Sequence, residues 1–365
     1  MREIKILHSA DWHLDSPFES LSSAQAKEMR FEARDIPFRI RRIAEEQKAD
    51  MIVLSGDLFD SDLAYLESAR VLSEAFKGMD IPVFIAPGNH DALTSPSAYD
   101  RIAFPENVHI FRKNRMEKIE TPLADVYGAA FTDSFSGDLL RDFRADKTSG
   151  KYSIVVMHGE IGTRGVYSPV TEEEIASSGA DYIALGHIHK RTPLLRAGNT
   201  WYAYPGCPMG RGFDETGTKG VYLVTLSESG CRADFIETAH RRYETYEVPV
   251  DENDAEEKLR EAVSAAREGD ICRFVLSGCC ALPPDGRTLQ ALAAEKRLFA
   301  AFLRDKTVPP VKVSDNEFSL RAELLRVYEE EASAAEPEER EKLDRALTWA
   351  LAVLDGREEP REVRV

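Results

Sequence analysis

Five short apolar runs, rich in β-branched residues, recur along the first half of the chain: Ile4-Lys5-Ile6-Leu7, Met51-Ile52-Val53-Leu54, Ile81-Pro82-Val83-Phe84-Ile85, Tyr152-Ser153-Ile154-Val155-Val156-Met157 and Tyr182-Ile183-Ala184-Leu185. Each has the length and composition of a buried strand. Shortly after each comes a segment rich in Asp, Asn, His and Gly: Asp11-Trp12-His13, Gly56-Asp57-Leu58-Phe59-Asp60, Gly88-Asn89-His90-Asp91, His158-Gly159 and Gly186-His187-Ile188-His189. The pattern predicts polar side chains on loops at the C-terminal ends of strands, where open α/β sheets gather their sites. Five of the eight histidines lie in these segments, more than core packing calls for.

Taken singly the segments are ordinary. Asp57 could be a turn aspartate, Asn89 could cap its own backbone, and His158 could be a satisfied half-buried histidine. Asp11-Trp12-His13 predicts an extended stretch with both outer side chains on one side. In Gly186-His187-Ile188-His189 two imidazoles alternate behind a glycine that permits close backbone approach. Five such segments in order point to one polar, metal-ligating site. His8, one strand period before Ala10, reads as packing, while Asp15, Asp91 and Glu160 are placed either to orient ligands or at the surface.

Past Phe235 the pattern changes. A strand over 241–250, an amphipathic helix over 254–268, a strand over 271–277, a helix over 289–304 and a strand over 308–313 describe a small α/β unit. Two helices over 319–354 follow, broken near Pro337, with apolar stripes at Leu320, Leu324, Leu325, Val327 and Tyr328, and at Leu343, Leu347, Leu351 and Leu354. The predicted organisation is 1–240, 241–315 and 316–365. The terminal helices could pack on their own domain or offer a docking surface.

The 365 residues suffice for a sizeable core with at least one smaller unit. No run reaches transmembrane length and the N-terminus reads as a strand, so the cytoplasm is the expected compartment. Five cysteines without a CxxC pair suggest reduced thiols. A net charge of −17 argues against a chain coated in nucleic-acid-binding surface. Local basic groups remain: Arg39, Arg41 and Arg42 read as a solvated helix face, whereas Lys190, Arg191 and Arg211, beside the ligand segments, are candidates for phosphate-backbone contacts.

The order D-x-H, GDxxD, GNHD, H, GHxH resembles the calcineurin-like metallophosphoesterase superfamily. The stretch His8-Ser9-Ala10-Asp11-Trp12-His13-Leu14-Asp15-Ser16-Pro17-Phe18, with Tyr204-Pro205-Gly206, Gly210-Arg211 and Glu215-Thr216-Gly217-Thr218-Lys219-Gly220, is similar to its branch of bacterial DNA-repair nucleases of the SbcD kind and their YhaO-like relatives. The resemblance implies an α/β fold: a metallophosphoesterase β-sandwich flanked by helices, a small α/β capping domain and a C-terminal helical hairpin. It assigns Asp11, His13, Asp57 and His189 to one metal, and Asp57, Asn89, His158 and His187 to a second. Asp57 then bridges, since a carboxylate has two oxygens. The mixed donors suit two divalent ions of manganese, iron or zinc, and the resemblance favours manganese. His90 is the expected general acid, with Asp60 hydrogen-bonding and polarising it, although a turn role for Asp60 stays open. The implied activity is a metal-dependent exonuclease or endonuclease acting on DNA ends in repair, with an SMC-like coiled-coil ATPase as partner and dimerisation expected. A small-molecule phosphodiesterase or phosphomonoesterase, or a non-catalytic DNA-binding or regulatory subunit, are the alternatives.

Overall fold

The computed structural model describes residues 2–61, 66–94, 97–162, 165–308, 319–354 and 362–364. Two compact units divide the chain, Met1–His240 and Arg241–Val365.

The first unit is built on two six-stranded sheets. In one, the order is β12 (Gly230–Glu237), β11 (Gly220–Ser227), β1 (Ile4–Ser9), β2 (Met51–Leu54), β3 (Val83–Ile85) and β4 (Val108–Ile110). Strands β1 to β4 are parallel, and β11 and β12 extend the sheet as an antiparallel hairpin. The other runs β5 (Glu117–Glu120), β6 (Ala124–Gly128), β7 (Tyr152–His158), β8 (Tyr182–Gly186), β10 (Thr200–Ala203) and β9 (Leu195–Ala197). Here β6, β7, β8 and β10 are parallel, with antiparallel β5 and β9 at the edges. Helices α1 (Ser23–Arg34), α2 (Ile36–Gln47), α3 (Leu66–Ala75) and α4 (Glu172–Ser177) complete the unit.

The continuous apolar runs follow from covering each strand on both faces. Ile154 and Val156 of β7 join Ile6, Val53 and Phe84 in a layer fed by both sheets. Val155 and Met157 point the other way and pack with Ile183, Leu185 and Ile175 of α4. The period of two continues past the apolar residues, so His158 falls in the row of Ile154 and Val156, and Gly186 in the row of Tyr182 and Ala184. The ligand candidates therefore emerge at the polar end of the layer between the sheets. His8 closes that layer: its Nδ1 lies 2.8 Å from the Tyr182 hydroxyl and its Nε2 3.2 Å from Ser55 Oγ. Burial pulls its pKa down to about 3, which keeps it neutral, in keeping with a packing role. On α2, Arg39 pairs with Asp35 at 3.2 Å and donates to the Thr238 carbonyl, and Arg41 pairs with Glu45 at 2.9 Å, as a helix face stabilised by its own neighbours.

In the second unit β13 (Tyr243–Val250), β14 (Ile271–Cys279) and β15 (Ala300–Val308) lie parallel, connected through α5 (Ala255–Ala265) and α6 (Gly286–Lys296). The predicted helix over 289–304 is corrected here. It stops at Lys296 because Arg297 turns left-handed, with φ 57°, and Ala300 to Arg304 belong to a central strand. A fully covered strand shows no alternation, so its apolar run passes for helix. Val308 ends β15, and the rest of the strand placed at 308–313 lies outside the described residues. The short strand β16 (Glu362–Arg364), antiparallel to β15, was not legible from sequence.

Helices α7 (Leu320–Ala334) and α8 (Pro337–Leu354) belong to this second unit, where Leu325, Leu347 and Leu351 pack with Val308. Leu320, Val327, Trp349 and Val353 stay exposed. None of the five cysteines is in a disulfide. No helix among the described residues is long and apolar enough to cross a membrane.

Candidate metal centre

Four ligand candidates sit in the left-handed backbone region: Asp11 (φ 56°), His13 (φ 46°), Asp57 (φ 52°) and His187 (φ 104°). Such conformations cost about 1–3 kcal/mol each and cluster at functional sites. They also correct the extended reading of 11–13. The loop curls against its neighbour instead, with backbone N–H groups of Asp11, His13 and Leu14 donating to the carbonyls of Gly56, Asp57 and Leu58 at 2.9–3.0 Å. Buried Asp91 ties the second loop to the third, accepting from the N–H groups of Gly88 (2.6 Å), Leu58 (2.8 Å) and Asp57 (3.2 Å) and from the Tyr99 hydroxyl (2.6 Å). Two glycines are dictated by closeness: a Cβ on Gly88 would strike Asp57 Oδ1, and one on Gly186 the Ser55 carbonyl oxygen.

These loops bring all seven predicted ligands together around one carboxylate oxygen. Asp57 Oδ2 lies 3.7 Å from His13 Nε2 and 3.3 Å from His158 Nε2. On the first side, His13 Nε2 faces His189 Nε2 at 3.2 Å, and His189 Nε2 lies 3.9 Å from Asp11 Oδ1. On the second, His158 Nε2 is 2.9 Å from Asn89 Oδ1 and 3.3 Å from His187 Nδ1. Asp11, His13 and His189, and separately Asp57, His158 and His187, each offer donor atoms within 4.8 Å of one another.

The donor set fits two divalent cations on internal evidence. Asp11 Oδ1 accepts the His187 N–H at 2.9 Å, while its Oδ2 is buried without a partner. A buried carboxylate oxygen left bare is costly unless a cation meets it. Imidazole nitrogens facing each other across carboxylates make the same demand. His158 donates from Nδ1 to the Ser55 carbonyl (2.9 Å), which fixes its tautomer and turns Nε2 to the ligand cluster.

Electrostatics follow from burial and neighbours. Burial raises Asp11 to about 6 against the pull of His158 and His189. Burial also pushes Asp57 up, but the charge and hydrogen bond of His158, with His13 and His90, outweigh it and hold the carboxyl far below the usual range. Burial opposes charge on His158, yet Asp57 and Asp11 raise it to about 9. Burial takes His13 and His187 down to about 4.

Behind the first side stands a charged brace that sequence reasoning did not assemble. Glu215 Oε1 accepts from His189 Nδ1 at 2.7 Å and from Arg211 at 2.7 Å. The same guanidinium reaches Asp60 Oδ1 at 3.3 Å, and Asp60 Oδ1 lies 3.2 Å from His13 Nδ1 and accepts from Ser16 Oγ at 3.0 Å. Two expectations change. The Asp60 carboxylate serves His13 rather than His90, and only its backbone carbonyl meets His90 Nδ1, at 3.1 Å. Arg211 is committed to Glu215 and Asp60, so its guanidinium is not a free phosphate contact. Arg191 lies over the Phe235 ring at 3.9 Å, and Lys190 is exposed. The only hint of Glu215 was its place in the glycine-rich stretch, because its partner His189 is far in sequence. His90 is exposed, with its ring edge-on to His13 at 4.8 Å.

Residues 4–191 match the family model described as calcineurin-like phosphoesterase. The chain is 33% identical over 259 residues to the uncharacterized metallophosphoesterase YhaO of Bacillus subtilis, covering 64% of this chain and 60% of that one. It is 28% identical over 271 residues to the SbcD component of the nuclease SbcCD from the same organism (60% and 66%). It is also 29% identical over 245 residues to the DNA double-strand break repair protein Mre11 of Saccharolobus solfataricus (62% and 61%). In each case less than two thirds of the relative is covered.

Proposed function

The chain belongs to the calcineurin-like phosphoesterase family, and from that premise we propose that it is a two-metal DNA nuclease that hydrolyses phosphodiester bonds at DNA ends during repair. The observation that carries this reading is Asp57 Oδ2 standing 3.7 Å from His13 Nε2 and 3.3 Å from His158 Nε2, a single oxygen between two donor groups. The choice of DNA leans on the names of the nuclease and break-repair relatives.

In this proposal Asp11, His13, Asp57 and His189 hold one cation, and Asp57, Asn89, His158 and His187 hold the other. Manganese is the proposed metal, with iron and zinc as the competitors that the donor set equally admits. When bound, a divalent pair supplies the lowered water pKa and the Lewis acidity that phosphoryl transfer requires. The protein's own groups do the rest. As an imidazolium, His90 donates from Nδ1 to the Asp60 carbonyl and gives its Nε2 proton to the departing alkoxide, ending as the neutral Nδ1–H form. Lys190, exposed and next in sequence to His189, is the proposed contact to a backbone phosphate, and its loss should weaken DNA binding and reduce its salt dependence by about one contact.

The exposed apolar side chains of α7 and α8, Leu320, Val327, Trp349 and Val353, are the proposed docking surface for an SMC-like coiled-coil ATPase, in the cytoplasm. The test is to incubate the protein and its Asp57→Asn variant with linear, circular and hairpin DNA and with a chromogenic phosphodiester, in manganese, iron and zinc. Metal-dependent loss of linear DNA, absent in the variant, is the expected outcome. Turnover of the small ester alone would overturn the DNA assignment.

A further inference from the structure

The second side of the metal centre carries one carboxylate, Glu160 Oε2 at 3.9 Å from His187 Nε2, and beside it a column of rings. Tyr167 lies 5.0 Å from the His187 ring, centroid to centroid, tilted by 39°. Phe135 stacks on Tyr167 at 5.8 Å and 29°. The column thus starts at a ligand candidate and ends in solvent, where Phe135 is 58% exposed. Val166, next to Tyr167, is 51% exposed as well.

Single exposed apolar side chains are ordinary. An exposed ring stacked on a second ring that leans on a metal-ligand candidate is not explained by core packing. The platform is also built rather than loose. The N–H of Ser136 donates to the Val166 carbonyl and the N–H of Ser168 to the Ser136 carbonyl, both at 2.9 Å, and that of Glu160 to the Tyr167 carbonyl at 3.2 Å. The first two bonds join the loop carrying Phe135 to the loop carrying Tyr167, and the third lies within the latter.

We propose that Phe135, backed by Tyr167, is a stacking platform for an unpaired nucleobase beside the scissile phosphate. The inference rests on the DNA-nuclease reading and adds to it a preference for an unstacked strand at the cleavage point. Every base presents a π face, so such a contact is tolerant of sequence. Phe135 stands two ring spacings from His187, so the proposal puts the base of a nucleotide held at the second donor group on that ring.

The test is a cycle between ring and base. Single abasic residues are moved along an end-labelled single strand, and kcat/KM is measured for the wild type, Phe135→Ala and Phe135→Trp in manganese. One position is expected at which the abasic residue costs the wild type about tenfold. At that position Phe135→Ala should show the loss on the intact strand and no additional loss on the abasic one, while Phe135→Trp retains the dependence. Abasic costs that are the same in wild type and Phe135→Ala, or an equal loss by Phe135→Ala on both strands, would overturn the platform and leave the nuclease reading standing. No cleavage of the intact strand by the wild type would overturn the nuclease reading, and the platform with it.

Discussion

The two sides of the metal centre share Asp57 and have two imidazoles apiece, yet they are backed differently. On the first side, His13 and His189 are each met by a carboxylate, Asp60 and Glu215, and one guanidinium, that of Arg211, joins the two. On the second, His158 is held by a backbone carbonyl, Asn89 contributes a neutral oxygen, and His187 meets the Tyr167 ring and, at a looser 3.9 Å, the Glu160 carboxylate. The first arrangement fixes imidazoles through charge and spends its side chains on itself. The second leaves an aromatic flank open to solvent. The difference predicts that the two donor groups respond separately when the backing of one is cut.

The largest predicted effect removes what both sides share. Asp57→Asn should lose bound metal on both sides and at least about a thousandfold in hydrolysis, several kcal/mol of transition-state stabilisation. Metal analysis alongside a DNA-cleavage assay checks both. His90→Ala leaves both donor groups intact, so it should retain its metals while kcat falls about a hundredfold or more, the usual contribution of a general acid. Full activity in that variant would remove His90 from the mechanism.

The comparison itself is sharpened by cutting the brace. Arg211→Ala and Glu215→Gln should each weaken one metal-binding step about 10–100-fold in a calorimetric titration and leave the other unchanged. If both steps weaken alike, the two sides are not independent.

A smaller effect separates them by proton release. With no cation bound, His158 is raised to about 9 and is therefore protonated at neutral pH, while ligation requires it neutral. Metal binding at pH 7 should then release about one proton from His158, and apparent affinity should climb as pH rises toward 9. Calorimetry in buffers of different ionisation enthalpy reads the count. The sign for the metal-free protein is the reverse. A raised histidine pKa stabilises fully below the ordinary value near 6.5, and the contribution is lost as pH rises through about 9.

Much of this architecture is legible in the sequence because strand ends and ligand loops are local. The runs beginning at Ile4, Met51, Ile81, Tyr152 and Tyr182 contain β1, β2, β3, β7 and β8, the third strand starting two residues later than its run, and the seven ligand candidates fall after them. What stayed hidden depends on distant partners or on backbone dihedrals. The Glu215–His189 pair joins residues on separate loops, and Asp60 chose His13 over His90 because the left-handed turn at His13 brings its ring toward that carboxylate. Short strands such as β4, β5 and β9 carry too few residues for a periodic signal, and β15 lacks alternation over Ala300 to Leu303, where four successive residues are buried. The ring column of Phe135, Tyr167 and His187 is assembled from three loops and leaves no pattern along the chain.

The central claim is that one carboxylate holds two cations together. Its most direct test is to titrate the metal-free protein with manganese, count the ions bound and record the electron paramagnetic resonance spectrum. Two ions per chain with a spin-coupled signal, lost in Asp57→Asn, is the result the account predicts. One ion per chain, or two that remain magnetically independent, would contradict it.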